Sequence, residues 1–172
     1  SIEVVDSPDL VEIRLEATDL NGAPLPGNRI VSGNDFLLRA WVEDLRTNVP
    51  TLDKGVFSAY LDVFYDGTLA RPGDITFGPL FTNGQKADTA AAGIINEVGA
   101  FQNFADPLPP PWTFPGEELL FEIRFTALTP PLVFGNLVFR GDPADEQPLN
   151  EVSVIKPDPG LSVPTAQVLY VD

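Results

Sequence analysis

Hydrophobic and polar residues alternate with a period of two along most of this chain. Val11, Ile13, Leu15 and Ala17 alternate with Glu12, Arg14, Glu16 and Thr18, the pattern of a strand with one buried face. Asp19-Leu20-Asn21-Gly22 ends it. Phe36, Leu38, Ala40 and Val42 alternate with Leu37, Arg39, Trp41 and Glu43, and Phe57, Ala59, Leu61, Val63 and Tyr65 repeat the pattern from Gly55 to the turn pair Asp66-Gly67. A short strand is predicted over 74–77, a turn over Thr82-Asn83-Gly84-Gln85, and a loop over 87–92, which is too short to hold a helix by itself. Gly93 to Phe101 reads as a buried or bulged strand. Prolines crowd Asp106 to Pro115, so that stretch cannot donate ladder hydrogen bonds and is expected to be a surface connection.

Beyond it, Leu119, Phe121, Ile123 and Phe125 alternate with Leu120, Glu122, Arg124 and Thr126, and Leu132 to Arg140 gives another strand. Gly141 to Asn150 reads as an acidic loop, Val152 to Ile155 as a short strand, and Ala166, Val168 and Tyr170 close the chain. About nine strands without an amphipathic helix predict an all-β fold, a single antiparallel β-sandwich of the jelly-roll type spanning 1–172. At 172 residues the chain is long enough to bury one core without staples.

Composition then removes chemistry. There is no His and no Cys, which excludes Ser-His-Asp and Cys-His nucleophile systems, imidazole or thiolate zinc sites, and thiol redox chemistry. Ten basic against 25 acidic residues give a formal charge of −15, a field that repels phosphate backbones, so no nucleic acid partner is expected. No run approaches the roughly 18 apolar residues of a membrane span, so no membrane insertion is expected. The chain holds no Met, which points to a mature or excised part of a larger product.

Two longer stretches resemble cohesin modules. Gly55-Val56-Phe57-Ser58-Ala59-Tyr60-Leu61-Asp62-Val63-Phe64-Tyr65-Asp66 is similar to the family's third strand, with its Gly-Val opening and Tyr-Asp end. Gly116-Glu117-Glu118-Leu119-Leu120-Phe121-Glu122-Ile123-Arg124-Phe125-Thr126-Ala127 resembles the strand near the family's C-terminal third. The segments 11–15 and 167–171 resemble the first and last strands, which lie side by side in that fold. The loops 82–92 and 106–115 depart from cellulosomal cohesins and are closer to cohesin-like modules of large bacterial surface or secreted proteins. The resemblance implies a non-catalytic module that binds a dockerin-like partner through one sheet face, secreted or at the cell surface.

By that resemblance the strand 55–65 belongs to the binding face. Alternation puts Val56, Ser58, Tyr60, Asp62 and Phe64 on the side away from Phe57, Ala59, Leu61 and Val63, and two aromatics with a valine there suggest a partner surface. The competing reading is that a loop of the same chain, the Pro-rich one with Trp112 and Phe114, covers this side. The strand 93–101 offers the partner either Ile94, Asn96 and Val98 or Ile95, Glu97 and Gly99, so Asn96 and Glu97 join the candidates. The acidic lining suits a basic partner.

With oxygen ligands alone remaining for a metal, calcium is the first cofactor candidate. Asp19 and Asn21 have the spacing of a calcium-loop start, and Asp142 and Asp145, with Glu146 and Glu151, crowd a second loop. Asp-x-Asn-Gly is equally a plain turn. Glu117 and Glu118 are strand neighbours and point to opposite faces, which argues against a glycosidase carboxylate pair and against an enzyme. Two alternatives stay open at this stage. One is a structural repeat or fibre subunit that self-associates through edge strands and the extension Ile2 to Val5. The other is a carbohydrate-binding module that stacks sugars on Trp41 or Trp112.

Overall fold

A computed structural model describes residues 8–103, 113–130, 135–145, 152–155 and 161–172. Among them there are eleven strands and no α-helix. One sheet contains β1 (Val11–Thr18), β2 (Asp35–Asp44), β4 (Ala70–Phe77), β7 (Glu118–Ala127) and β11 (Val168–Val171), in the order β11-β1-β2-β7-β4. The other contains β3 (Val56–Phe64), β5 (Asn83–Asp88), β6 (Ile94–Phe101), β9 (Val152–Val154) and β10 (Leu161–Ser162), in the order β10-β9-β3-β6-β5, and β8 (Arg140–Pro143) pairs with β3 beyond β9. Pairing is antiparallel except between the first and last strands. There β1 runs parallel to β11, with Val11 opposite Val168 and Arg14 opposite Val171.

The core lies between the sheets. Val11, Ile13 and Leu15 of β1, Phe36, Leu38, Ala40 and Val42 of β2, and Ile123 and Phe125 of β7 face Ala59, Leu61 and Val63 of β3, Ile95, Val98 and Ala100 of β6, and Val152 and Val154 of β9. Phe36 stacks on Phe125 at 5.7 Å between ring centroids, and Tyr65 meets Phe125 edge-on at 5.1 Å. Burying a single side chain of the size of Leu61 stabilises by about 1.5–3 kcal/mol.

Two strands slip phase where the ladder takes an extra residue, because a bulge turns every later side chain to the other face. In β3 the register jumps between Val56 and Ser58. Val56 therefore turns into the core, while Phe57 packs against Phe101 at 6.0 Å outside it. Strict alternation places these two the other way round. In β7 the jump opposite Ala40/Trp41 puts both Leu120 and Phe121 inside and leaves Leu119 only half-buried.

Three expectations are corrected. The stretch 82–85 is not a turn: β5 starts at Asn83 and continues to Asp88, taking part of the expected loop 87–92. The strand expected over 132–140 is displaced. Residues 135–139 lie outside any strand, β8 begins at Arg140, and 131–134 are outside the described residues. Asp142 therefore sits in a strand that pairs with Asp62, not in a loop. The short strand expected over 74–77 also extends back to Ala70 as β4, interrupted by a register shift between Pro72 and Ile75. Ile2 to Val5 and 104–112, including most of the Pro-rich stretch and Trp112, fall outside the described residues.

Candidate functional site

The outward side of β3 is not solvated. Ser58 is 7% exposed, Tyr60 3% and Asp62 4%, and only Phe64 is half-open, while Val56 has turned into the core. The reason is local. Strand β3 is central, with β6 on one side and β9 and β8 on the other, and each polar side chain on its outward side has an internal partner. Ser58 and Ser153 share a hydroxyl hydrogen bond at 2.6 Å. Tyr60 donates its hydroxyl to the Gly84 carbonyl at 2.6 Å, and burial pushes that phenol up to about 12, against a small pull from Lys86.

Gly84 and Gly99 make room for the Tyr60 ring. A Cβ on Gly99 would lie 2.7 Å from Tyr60 Cδ1, and one on Gly84, at φ +58°, would lie 2.7 Å from the Tyr60 oxygen. The ring thus lies across a glycine of β6 and beneath edge strand β5. Nothing in the Asn83-Gly84 dipeptide distinguishes this role from a turn.

Asp62 and Glu97 form the charged centre of this side. The ladder is irregular between Leu61 and Val63, and opposite it Glu97 takes φ +50°, a left-handed conformation uncommon for a non-glycine residue. This settles the open question on β6: Ile95, Val98 and Ala100 face the core, while Ile94 pairs with Phe64. Glu97 is nevertheless fully buried. Its backbone N–H donates to Asp62 Oδ1 at 2.7 Å, and Lys86 of β5 pairs with its Oε2. Burial pushes the Asp62 carboxyl up; the Glu97 N–H opposes that, and Asp145, Glu97 and Asp142 add to it.

The accessible part of this side lies at the end of β3. Phe64, its neighbour Ile94, Asn96 and Asp142 are half-buried, and Arg140 and Asp145 are exposed. The Arg140 guanidinium lies 4.9 Å from the Phe64 ring centroid and donates to Asp142 at 2.7 Å. Of the seven residues expected to meet a partner, Phe64 and Asn96 remain reachable, Ser58, Tyr60, Asp62 and Glu97 lie beneath, and Val56 faces the core.

The expected calcium ligands have other engagements. Asp19 Oδ1 accepts from the N–H groups of Asn21 at 2.8 Å and Ala23 at 2.9 Å, which makes the segment an Asx turn, with Asn21 exposed. Asp142 is held by Arg140, and Glu146 and Glu151 lie outside the described residues.

Sequence reading missed a different convergence, Glu12, Glu43 and Glu117, whose carboxylates lie within 4.8 Å of one another. Glu12 and Glu43 are directly opposite across β1 and β2, a pairing that becomes visible only once the register is known. Both oxygens of Glu117 are taken by Arg14, at 2.7 and 3.1 Å. Burial, then Glu117 and Glu12, push the Glu43 carboxyl up. A raised carboxyl contributes stability that is lost as pH rises through its folded value. Glu43→Gln is therefore expected to stabilise the fold at neutral pH by about 0.5 kcal/mol, and urea unfolding at neutral and mildly acid pH should show the gain fading in acid.

On the outer face of the first sheet, Trp41 is not a free platform. The guanidinium carbons of Arg14 and Arg39 lie 6.0 and 5.7 Å from its ring centroid, and its indole N–H donates to Glu16. Among the described residues, no helix is long and apolar enough to cross a membrane.

No family model matches this chain, and no curated protein matches its sequence. Solved structures do match its fold. A chain of the complex between a CaDoc0917 variant and CaCohA2, the latter from Clostridium acetobutylicum, superposes with a TM-score of 0.58 at 13% identity, covering 93% of this chain and 94% of that one. The third cohesin of ScaC from Acetivibrio cellulolyticus, solved with the ScaB dockerin, gives 0.55 at 14% identity, with 94% of each chain covered. The type III cohesin module of ScaE from Ruminococcus flavefaciens gives 0.53 at 11% identity, covering 96% of this chain and 90% of that one. With two sheets in this order, closed by the parallel pair β1·β11, the chain has the cohesin fold.

Proposed function

We propose that this chain is a non-catalytic recognition module of an extracellular or cell-surface assembly, and that it binds a dockerin-like partner on the outward side of the β10-β9-β3-β6-β5 sheet. The observation that carries this reading is the match to cohesins, near full-length for the third cohesin of ScaC, which was solved with a dockerin. The accessible end of the sheet supplies the contact surface. Phe64 and Ile94 offer apolar area and Asn96 a hydrogen-bonding amide, while Ser58, Tyr60, Asp62 and Glu97 hold the strands beneath in place.

The other readings receive less support. The ring of Trp41 is occupied by two guanidinium groups, which leaves little face for a sugar. Two of the four sheet edges are blunted against fibre pairing: β4 carries Pro72 and a register shift, and β5 carries two register shifts and Lys86, devices that oppose strand addition.

The test is binding of recombinant dockerin modules to the immobilised chain, with calcium present and after chelation. Saturable binding is expected. Phe64→Ala and Asn96→Ala should each weaken it by about tenfold, as anchor residues do, with the circular dichroism spectrum unchanged. Affinity unmoved by both substitutions would remove this side of the sheet from consideration.

A further inference from the structure

Strand β5 adds nothing to the core. None of its six residues is buried, and none joins the apolar cluster between the sheets. Its ladder is broken as well: Asn83, Lys86 and Asp88 are the residues with partners on β6, and the register shifts between each and the next. By contrast, β1 pairs with β2 from Val11 to Thr18 without a shift. An edge element with little buried apolar surface and an interrupted ladder has low local stability. Its two ends are nevertheless fixed. Phe81, just before it, is fully buried, and beyond it the Gly93 carbonyl accepts from the Tyr65 N–H at 3.0 Å. Between these anchors, 89–92 are fully open to solvent.

Polar contacts hold β5 down. The Tyr60 hydroxyl donates to the Gly84 carbonyl at 2.6 Å, and Lys86 pairs with Glu97 Oε2. Apolar surface lies beneath it, since a Cβ on Gly84 would run into the Phe101 ring. Closing carries two costs. Gly84 loses more backbone freedom than any other residue type would, and Glu97 Oε1 is shut away from water without a hydrogen-bond donor.

We propose that 82–92 are a strap that lifts from β6 as a unit while the rest of the sandwich stays folded, switching this side of the sheet between a closed surface and one on which Tyr60, Phe101 and the Glu97 carboxylate meet solvent. Lifting gives up two polar contacts and the cover over Phe101. In return it hydrates Glu97 Oε1, the Tyr60 hydroxyl and the freed backbone of β5, so the two states lie close in free energy. The Phe64 and Ile94 end of the sheet is the same in both, whereas the Tyr60 region is reachable in the open state alone. The switch goes beyond the recognition reading and stands without it.

Native-state hydrogen exchange on the whole chain reads the strap. Amides joining β5 to β6 are expected to exchange about 100-fold or more faster than those joining β2 to β7, at a rate that barely responds to low urea because lifting exposes little surface. The chain has no cysteine of its own, so the pair Asp88→Cys and Asn96→Cys, which stand opposite each other across β5 and β6, can lock the strap. Oxidation should slow β5 exchange about tenfold or more, and dithiothreitol should restore it. A second measurement needs no variant. Tetranitromethane modifies ionised, accessible phenols, and the closed state denies it Tyr60, which is buried and held up at about 12 with Lys86 and Glu97 as the charged groups facing it. Peptide mapping should find Tyr60 nitrated well ahead of Tyr65, which stays packed on Phe125 and Phe139.

β5 amides that exchange at the β2·β7 rate with the same urea slope would overturn the strap. So would a Tyr60 as inert as Tyr65, or an oxidised variant that exchanges as fast as its reduced form. If β9 and β10 open together with β5 at one rate, the moving unit is the sheet and the strap is wrong. None of these readouts involves a partner, so the strap and the recognition reading stand or fall separately.

Discussion

Gly99→Ala is expected to destabilise the fold by about 3 kcal/mol or more, the upper end of what overpacking costs. A methyl at this position would lie 2.0 Å from the Ala59 carbonyl oxygen and 2.6 Å from Tyr60 Cα. Those are backbone atoms of β3, a strand held by β6 on one side and by β8 and β9 on the other, so it cannot retreat without breaking one ladder or the other. Gly84→Ala provides the contrast. Its methyl would meet the ends of the Phe101 and Tyr60 side chains at an edge strand, in a left-handed conformation. Side-chain ends there can swing aside, so the expected loss is about 1–2 kcal/mol, mostly backbone strain. Urea unfolding of both variants, with the slope checked against the parent, decides the matter. A Gly99→Ala protein within about 1 kcal/mol of the parent would mean that β3 and β6 can separate freely, and the description of a rigid central pair would fall.

The two glycines also show what a sequence conveys and what it withholds. Alternation alone places β1, β2 and most of β7, because each has one wet face and one dry face and the period-two pattern records that contrast directly. In β3 the same alternation marks Asp62 and Tyr60 as outward, and they are, yet neither meets solvent. Burial on that side depends on Gly84 of β5 and Glu97 of β6, residues 24 and 35 positions away along the chain, and a local pattern carries no trace of partners so distant. Bulges are the second blind spot. One extra residue at Phe57 exchanges the places of Val56 and Phe57, and both are apolar, so the hydrophobic pattern reads equally well in either phase. β5 is hidden for a related reason. Asn83-Gly84-Gln85-Lys86-Ala87-Asp88 is an edge strand with little apolar content, and its Asn-Gly opening has the composition of a turn. The reachable candidates Phe64 and Asn96 are legible, whereas the buried charge network beneath them needs the register.

Asp44→Ala should cost about 3–5 kcal/mol, because it removes the carboxylate of a buried, hydrogen-bonded ion pair. Asp44 closes β2 at 1% exposure and Arg46 is 7% exposed. Asp44 Oδ1 accepts from the Arg46 backbone N–H at 3.1 Å and from Nε at 2.9 Å, and Oδ2 accepts from Nη2 at 2.7 Å and from the Gly55 N–H at 2.9 Å. The last bond ties the end of one sheet's strand to the residue that opens β3 in the other, so the loss would also loosen the entry to the proposed binding side. Burial opposes the charge on Asp44, but the hydrogen bonds from Arg46 and Gly55 outweigh it and hold the carboxyl below its usual range. A lowered carboxyl contributes stability that is present above its unfolded value of about 3.9 and is lost as pH falls through the folded one. Asp62, Glu43 and Glu118 are displaced the other way, chiefly by burial, so their contribution is lost as pH rises above the ordinary carboxylate range. Together with the self-repulsion of a chain at −15, these opposed linkages place maximum stability at mildly acid pH, with a steep fall below about pH 4. Unfolding measured across that range should show the maximum, and in Asp44→Ala the acid limb should flatten while the neutral limb keeps its slope. A variant as stable as the parent, or an acid limb that ignores the substitution, would show that the Asp44 link between the sheets is dispensable.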